Sequence, residues 1–286
     1  MGPAFRRLAP FLFPLLLAQC AVISAFEPPR AAVLREAAER GWQVSLIDTG
    51  KFVIATYGRL PAGTARRLAV YIEGDGFAWV NRYRASSDPT PKDPISLKLA
   101  LADPGAAVVY VARPCQYTKG EQRKGCHPLY WTTRRLSEEV IGALGRVIDR
   151  LKERHGARRL HLIGYSGGGA AAALLAARRS DVDLLVTVVA NLDTGMWTEH
   201  HDVTPLIGSL NPVNYVGALR VVPPVHLAGE DDDEVPAKIV RSFTDALGRA
   251  ADAELHIIPD FDHRCCWSEG WGKTIAAIRA ARDKTP

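Results

Sequence analysis

Leu160-His161-Leu162-Ile163-Gly164-Tyr165-Ser166-Gly167-Gly168-Gly169, continuing into Ala170 to Ala173, is the stretch whose reading decides the fold. Four mostly apolar residues predict a buried strand over 160–163, and the alanine-rich run predicts a helix over 168–179. Between them, glycines on both sides of Ser166 allow a turn too tight for residues carrying a Cβ. Such a strand, turn and helix lifts the serine hydroxyl above the sheet, with the free amides of the helix start aimed at it. A phosphate cradle would need a Lys-Ser/Thr pair, or an acidic residue at a strand end about 20 positions on, and neither is present. Ser166 is therefore read as a nucleophile.

Working outward, the segment 31–40 has the periodicity of a short amphipathic helix. Alternating stretches at 43–48 and 51–57, joined at Thr49-Gly50, predict a hairpin. Further strands are expected at 68–72, 106–111, 160–163, 184–190, 222–227 and 254–258. Helical patterns at 95–101, 136–154, 168–179, 237–249 and 270–281 alternate with most of them. A hairpin feeding alternating strands and helices implies an α/β fold: eight strands, mostly parallel, with helices on both faces. The one long interruption, 191–221, is read as a small cap insertion within a single domain spanning 26–286.

Ligands of such sheets bind beyond the carboxyl ends of the strands, so the loops there are where partners for Ser166 are expected. A serine nucleophile needs a base and an acid to orient it, and in this arrangement the chain order is serine, acid, histidine. The loop after the seventh strand, Gly229-Glu230-Asp231-Asp232-Asp233-Glu234-Val235-Pro236, carries five consecutive carboxylates. Spacing from Gly229 and from Val235-Pro236 favours Asp232, with Asp231 and Asp233 as rivals and Asp193 as a more distant alternative. The last strand leads into Pro259-Asp260-Phe261-Asp262-His263, which makes His263 the expected base. His161, His226 and His256 fall inside strands, and His200 and His201 in the insertion.

An oxyanion formed at the attacked carbonyl needs two donors. Gly167 supplies one amide, and the glycine-rich loop Glu73-Gly74-Asp75-Gly76-Phe77 supplies the other, from Asp75 first and Gly76 second. The Glu73 and Asp75 carboxylates are expected to be held in local hydrogen bonds rather than to attract a cationic substrate. Trp79, Trp131, Trp197 and Trp267 fall on loops at the same end, either packing or sharing in an aromatic pocket.

Gly164-Tyr165-Ser166-Gly167-Gly168, Gly229 to Pro236 and Phe261-Asp262-His263 together resemble the α/β-hydrolase superfamily. Within it, Tyr71-Ile72-Glu73-Gly74-Asp75-Gly76, Arg113-Pro114-Cys115-Gln116-Tyr117 and Ser209-Leu210-Asn211-Pro212 are similar to bacterial exported hydrolases. The chain departs from many esterases in having Glu73-Gly74 where a His-Gly pair is usual. The resemblance implies the α/β-hydrolase fold and hydrolysis through an acyl-enzyme, without cofactor or metal. It spans esterases, lipases, thioesterases and peptidases.

The rest of the composition bounds the setting. Of 286 residues 47% are apolar, enough for a large core, and the charged residues are mixed in sign. Basic pairs such as Arg66-Arg67 and Arg178-Arg179 are scattered rather than gathered in a stripe, which argues against a nucleic-acid partner. Arg6-Arg7 ahead of an apolar run reads as a signal peptide over 1–25. Leu17-Ala18-Gln19-Cys20 resembles a lipoprotein cleavage box, which would end the signal at residue 19 and leave a lipid on Cys20. Export favours disulfides among Cys115, Cys126, Cys265 and Cys266, with the pairing left open. No paired ligand spacing supports a zinc site with His127. The expectation is an exported, periplasmic or secreted hydrolase cleaving an ester-like bond in a small acyl substrate, touching the membrane only through its signal or lipid. A peptidase or amidase, or a non-catalytic exported binding protein of the same fold, are the alternatives.

Overall fold

Alternating apolar residues pair Gln43–Asp48 (β1) with Val53–Arg59 (β2) in an antiparallel hairpin. Its turn is closed by local bonds: the Gly50 amide donates to Asp48 Oδ1 at 2.8 Å, and the Thr49 hydroxyl donates to the Phe52 carbonyl at 2.8 Å. The computed structural model describes residues 27–59, 66–219, 222, 224–248 and 253–283. The expected signal segment and Cys20 lie outside the described residues.

Six further strands follow: Arg67–Ile72 (β3), Val108–Val111 (β4), Arg159–Tyr165 (β5), Val182–Val188 (β6), Pro224–Gly229 (β7) and Glu254–Ile258 (β8). Together the eight form one sheet in the order β1-β2-β4-β3-β5-β6-β7-β8. Only the β1–β2 and β2–β4 pairings are antiparallel; the other five are parallel. The helices are Pro29–Glu39 (α1), Ile95–Ala102 (α2), Glu138–His155 (α3), Gly167–Ala176 (α4), Thr194–His200 (α5), Val216–Leu219 (α6), Ala237–Leu247 (α7) and Trp271–Arg282 (α8).

Three strands, β2, β6 and β7, sit two residues from where periodicity puts them. β6 stops at Val188 because Val189 has φ 46°, which takes the backbone out of the ladder. β7 runs to Gly229 because β8 continues pairing it, with Gly229 opposite Ile258. A two-stranded ribbon, Trp79–Asn81 with Arg84–Ala85, was not expected, since such short strands show no alternation. The stretch expected to be an insertion holds, among the described residues, α5, a 3-10 turn at Pro212–Tyr215, and α6.

Residues of β3 illustrate how the sheet is covered on both faces. Leu68, Val70 and Ile72 join one apolar cluster with Leu144 of α3, Ala172 of α4 and Phe243 of α7. Ala69 and Tyr71 point the other way, into a cluster with Leu99 of α2 and Trp271 of α8. The Tyr71 hydroxyl donates to Asp103 Oδ2 at 2.7 Å and accepts from Trp271 Nε1 at 3.0 Å. Arg279 then grips both Asp103 oxygens, at 2.7 and 2.6 Å, so α8 is tied to the α2 end by satisfied polar groups.

α3 is the longest helix among the described residues and has the signals for its ends. Ser137 accepts from the Val140 amide, Glu138 and Glu139 occupy the first turn, and Gly156 closes it in a left-handed conformation. Its apolar stripe, Val140 to Leu151, is buried against the sheet. Replacing fully buried Leu144 by Ala should lower the unfolding free energy by about 2–5 kcal/mol, read from urea denaturation.

Candidate active site

β5 ends at Tyr165, and the chain reverses at Ser166 to begin α4 at once. Ser166 has φ 52° and ψ −126°, an unfavourable region for a residue with a side chain. The conformation is held from below, where the Ser166 amide donates to the Val188 carbonyl at 2.9 Å. Close approach explains the flanking glycines. A Cβ on Gly164 would lie 2.3 Å from the Gly168 carbonyl oxygen, and one on Gly168 would lie 2.2 Å from that of Ile72. Neither is possible without displacing backbone.

The structure brings Ser166, His263 and Asp232 into one chain of hydrogen bonds. Ser166 Oγ is 3.0 Å from His263 Nε2, and His263 Nδ1 is 2.9 Å from Asp232 Oδ2. Serine donating to Nε2 and Nδ1–H donating to the carboxylate is the one assignment that satisfies all three groups. Asp232 alone of the five consecutive carboxylates is buried. Its Oδ1 accepts from the amides of Glu234 and Val235 at 2.9 and 2.7 Å, so the acid is locked by its own loop. Asp231 and Asp233 are exposed. Asp193 is otherwise engaged: it caps α5 through Met196 and accepts from Asn211 Nδ2 at 3.1 Å and Ser242 Oγ at 2.7 Å.

The histidine loop is braced in turn. Tyr165, the neighbour of the serine, donates its hydroxyl to the His263 carbonyl at 2.9 Å. Trp267 Nε1 donates to the Asp262 carbonyl at 2.8 Å. Neither brace is legible in the sequence, since each joins groups defined only by the fold. His161 and His226 are buried in strands, where burial pulls their imidazoles down to about 4 and about 3, so both stay neutral. His256 pairs with Glu254 on the surface, and His200 and His201 meet edge-on at the end of α5 and just beyond it.

Beside Ser166 lies the Glu73–Phe77 loop. The Gly74 amide is taken by the carboxylate of Glu73, at 2.9 Å from Oε1. Among the described residues, the amides of Asp75, Gly76 and Gly167 have no hydrogen-bond partner. They remain available to a ligand oxygen. Glu73 is fully inside, its Oε2 accepting from the Tyr110 hydroxyl at 3.1 Å. Burial pushes its carboxyl up to about 7, against the pull of the Gly74 and Tyr110 donors. Asp75 is clamped by two arginines that motif reading did not place in the site. Arg135 Nη1 is 2.6 Å from its Oδ2, and Arg113 Nη1 is 3.5 Å from its Oδ1.

These groups line a cavity of about 480 Å³. Its walls include Glu73 to Trp79, Arg135, Ser166, Trp197, Glu234 and His263. Trp79 and Trp197 thus face the cavity, while Trp131 and Trp267 are buried packing residues. The sulfurs of Cys115 and Cys126 lie close together, with the two Cα atoms 5.7 Å apart, and those of adjacent Cys265 and Cys266 also meet.

The sheet order, the turn at Ser166 and the placement of the loops define the α/β-hydrolase fold. No family model and no curated protein sequence matches the chain. Solved structures do. Est1E from Butyrivibrio proteoclasticus superposes with a TM-score of 0.58 at 13% identity, covering 84% of this chain and 98% of its own. An esterase from Pyrococcus furiosus gives 0.59 at 15%, covering 85% and 91%. The acylaminoacyl peptidase of Pyrococcus horikoshii gives 0.60 at 13%, but only 40% of that longer chain is covered. At such identities the likeness concerns the fold alone.

The buried carboxyl of Glu73 has a consequence for stability. A folded-state value of about 7 against 4.5 means that the folded protein binds a proton the unfolded chain releases. The stability this adds is complete below about pH 4.5 and is lost as pH rises through about 7. Relative to Glu73→Gln, the wild type should therefore weaken between about pH 5 and pH 8 in urea denaturation series. Parallel curves for the two proteins would place the carboxyl near its ordinary value.

Proposed function

We propose that the protein is an exported serine hydrolase that cleaves an ester-like acyl bond. The reading rests on one observation, the chain from Ser166 Oγ through His263 to buried Asp232, opening onto a cavity. His263 Nε2 takes the hydroxyl proton as Ser166 Oγ attacks the acyl carbonyl carbon. Asp232 steadies the imidazolium formed. The developing oxyanion is received by the amide of Gly167 and that of Asp75, with Gly76 the second choice. Collapse of the tetrahedral species breaks the bond to the leaving group, which receives the proton from His263. Water, deprotonated by the same nitrogen, then attacks the acyl-enzyme and frees Ser166.

An ester is the first reading and a peptide or amide bond the second; an esterase and an acylaminoacyl peptidase each superpose on 85% of this chain, so the fold accommodates both. The 480 Å³ cavity suits a small or medium acyl group. Export is supported by the signal-like start, and the meeting of Cys115 with Cys126 fits a disulfide formed in an oxidising compartment.

A fluorophosphonate probe should label Ser166, seen by peptide mass spectrometry, and labelling should vanish in Ser166→Ala. Folded protein that takes no label would favour the non-catalytic binding reading. With an activated acyl ester, Asp232→Asn should lower kcat on the order of 10⁴-fold, and His263→Ala by at least as much. An unchanged rate in Asp232→Asn would point to another acid. Mass spectrometry of the exported protein should find a new N-terminus near residue 26, or a lipid on Cys20.

A further inference from the structure

Arg113-Pro114-Cys115-Gln116-Tyr117 lies beyond β4 and contributes nothing to the proton relay. Its side chains nonetheless reach both halves of the proposed oxyanion site. Arg113 Nη1 donates to the Gly167 carbonyl at 3.0 Å and lies 3.5 Å from Asp75 Oδ1. Its Nη2 donates to the carbonyl of Arg135, the residue gripping the other Asp75 oxygen. Gln116 completes the hold: its Nε2 donates to the Gly74 carbonyl at 3.1 Å, while its Oε1 accepts from the Arg113 amide at 3.0 Å. One segment therefore grips the residues on either side of the serine whose amides are free.

We infer that Arg113, seconded by Gln116, is a positioning residue that sets the separation and direction of the two oxyanion donors. The inference rests on the proposed function. Gly167 belongs to α4 and Asp75 to the loop after β3, so no backbone element joins them. A donor pair must sit within about 3 Å of the developing oxygen without moving during the reaction. The link between them is side-chain chemistry: Asp75 Oδ1 lies where a Cβ on Gly167 would come within 2.3 Å, and Arg113 spans the pair.

Charge supports the same role. Arg113 and Arg135 are both buried, at 4% and 7% exposure, and share the single carboxylate of Asp75. Two guanidiniums on one carboxylate leave a positive bias behind the site below about pH 7, where buried Glu73 holds its proton, and little water screens it. It favours an oxyanion over a neutral carbonyl, and so acts on the transition state more than on substrate binding. Burying a guanidinium is costly unless it is paired. Three acceptors on one arginine fit a group held for a task that an apolar side chain of the same size could not perform. The segment is held in place by Cys115, in sulfur contact with Cys126, and by the Tyr117 amide donating to Thr90 Oγ1 at 2.9 Å.

The test compares full-length wild type with Arg113→Lys and Arg113→Ala, after thermal melts establish that each is folded. Lysine keeps the charge but cannot span the three acceptors. With p-nitrophenyl butyrate, kcat should fall about 10- to 100-fold, short of the loss from removing an oxyanion donor outright. KM should stay within about twofold. Affinity for an alkyl trifluoromethyl ketone, which forms a tetrahedral adduct with the serine, should fall by the same factor as kcat. Added guanidinium ion at low millimolar concentration should restore part of the rate to Arg113→Ala and none to Arg113→Lys. Folded variants with kcat within about twofold of wild type, or a loss confined to KM, would overturn the inference. Should neither Arg113 variant fold, Gln116→Leu carries the test, with the same kcat-selective loss expected and an unchanged kcat overturning it. Wild type that neither labels with a fluorophosphonate nor hydrolyses any acyl ester overturns the proposed function as well, whereas an active wild type matched by its variants overturns this inference alone.

Discussion

The backbone of Ser166, at φ 52° and ψ −126°, is the constraint on which the rest of the site depends. A serine does not adopt that conformation cheaply. It is held because β5 and β6 lie in register below it, delivering the Val188 carbonyl to its amide, and because α4 starts without a spacer. The same crowding requires the backbone of α4 to pass against β3 at Gly168 and against the turn at Gly164. Sheet, turn and helix are thus one mechanical unit. The strain is offset by the core beneath it, where α4 is buried at every position from Gly167 to Ala176.

Around this turn the molecule handles its carboxylates in three different ways. Asp232 is buried but satisfied, by two amides of its own loop and by His263. Asp75 is gripped by two buried arginines, one on each of its carboxylate oxygens. Glu73 has only neutral donors near it, and burial raises it toward neutrality. Low local dielectric magnifies each of these choices. The result is a site in which three acids close together are held by three different kinds of partner: backbone amides and an imidazole, guanidiniums, and neutral donors.

Much of this was legible in the chain. Strand and helix positions follow from periodicity to within about two residues, and the misses have local causes such as the φ of Val189. The Gly-x-Ser-x-Gly turn and a histidine just past the last strand announce themselves because their neighbours are unusual. The acidic run was harder. Spacing favours Asp232 over Asp231 and Asp233, but five like residues in a row carry no internal contrast. Burial supplies the contrast: Asp232 turns inward to His263 Nδ1, while the other four are exposed, Glu234 pairing with Arg264 and lying 3.7 Å from His263 Nε2. The arginines on Asp75 were not legible at all, because they stand 38 and 60 residues away from it along the chain.

By itself, then, the sequence determined the order of strands and helices, the sharp turn at Ser166, and the loops where partners had to be sought. These are local matters, governed by side-chain period, glycine and proline placement and the reach of a few residues. The tertiary structure alone decided which carboxylate meets His263, which amides are left free, and that Arg113 spans Gly167 and Asp75. Those outcomes depend on distances between segments far apart in the chain, and such distances exist only once the sheet has closed in register and its two faces are covered.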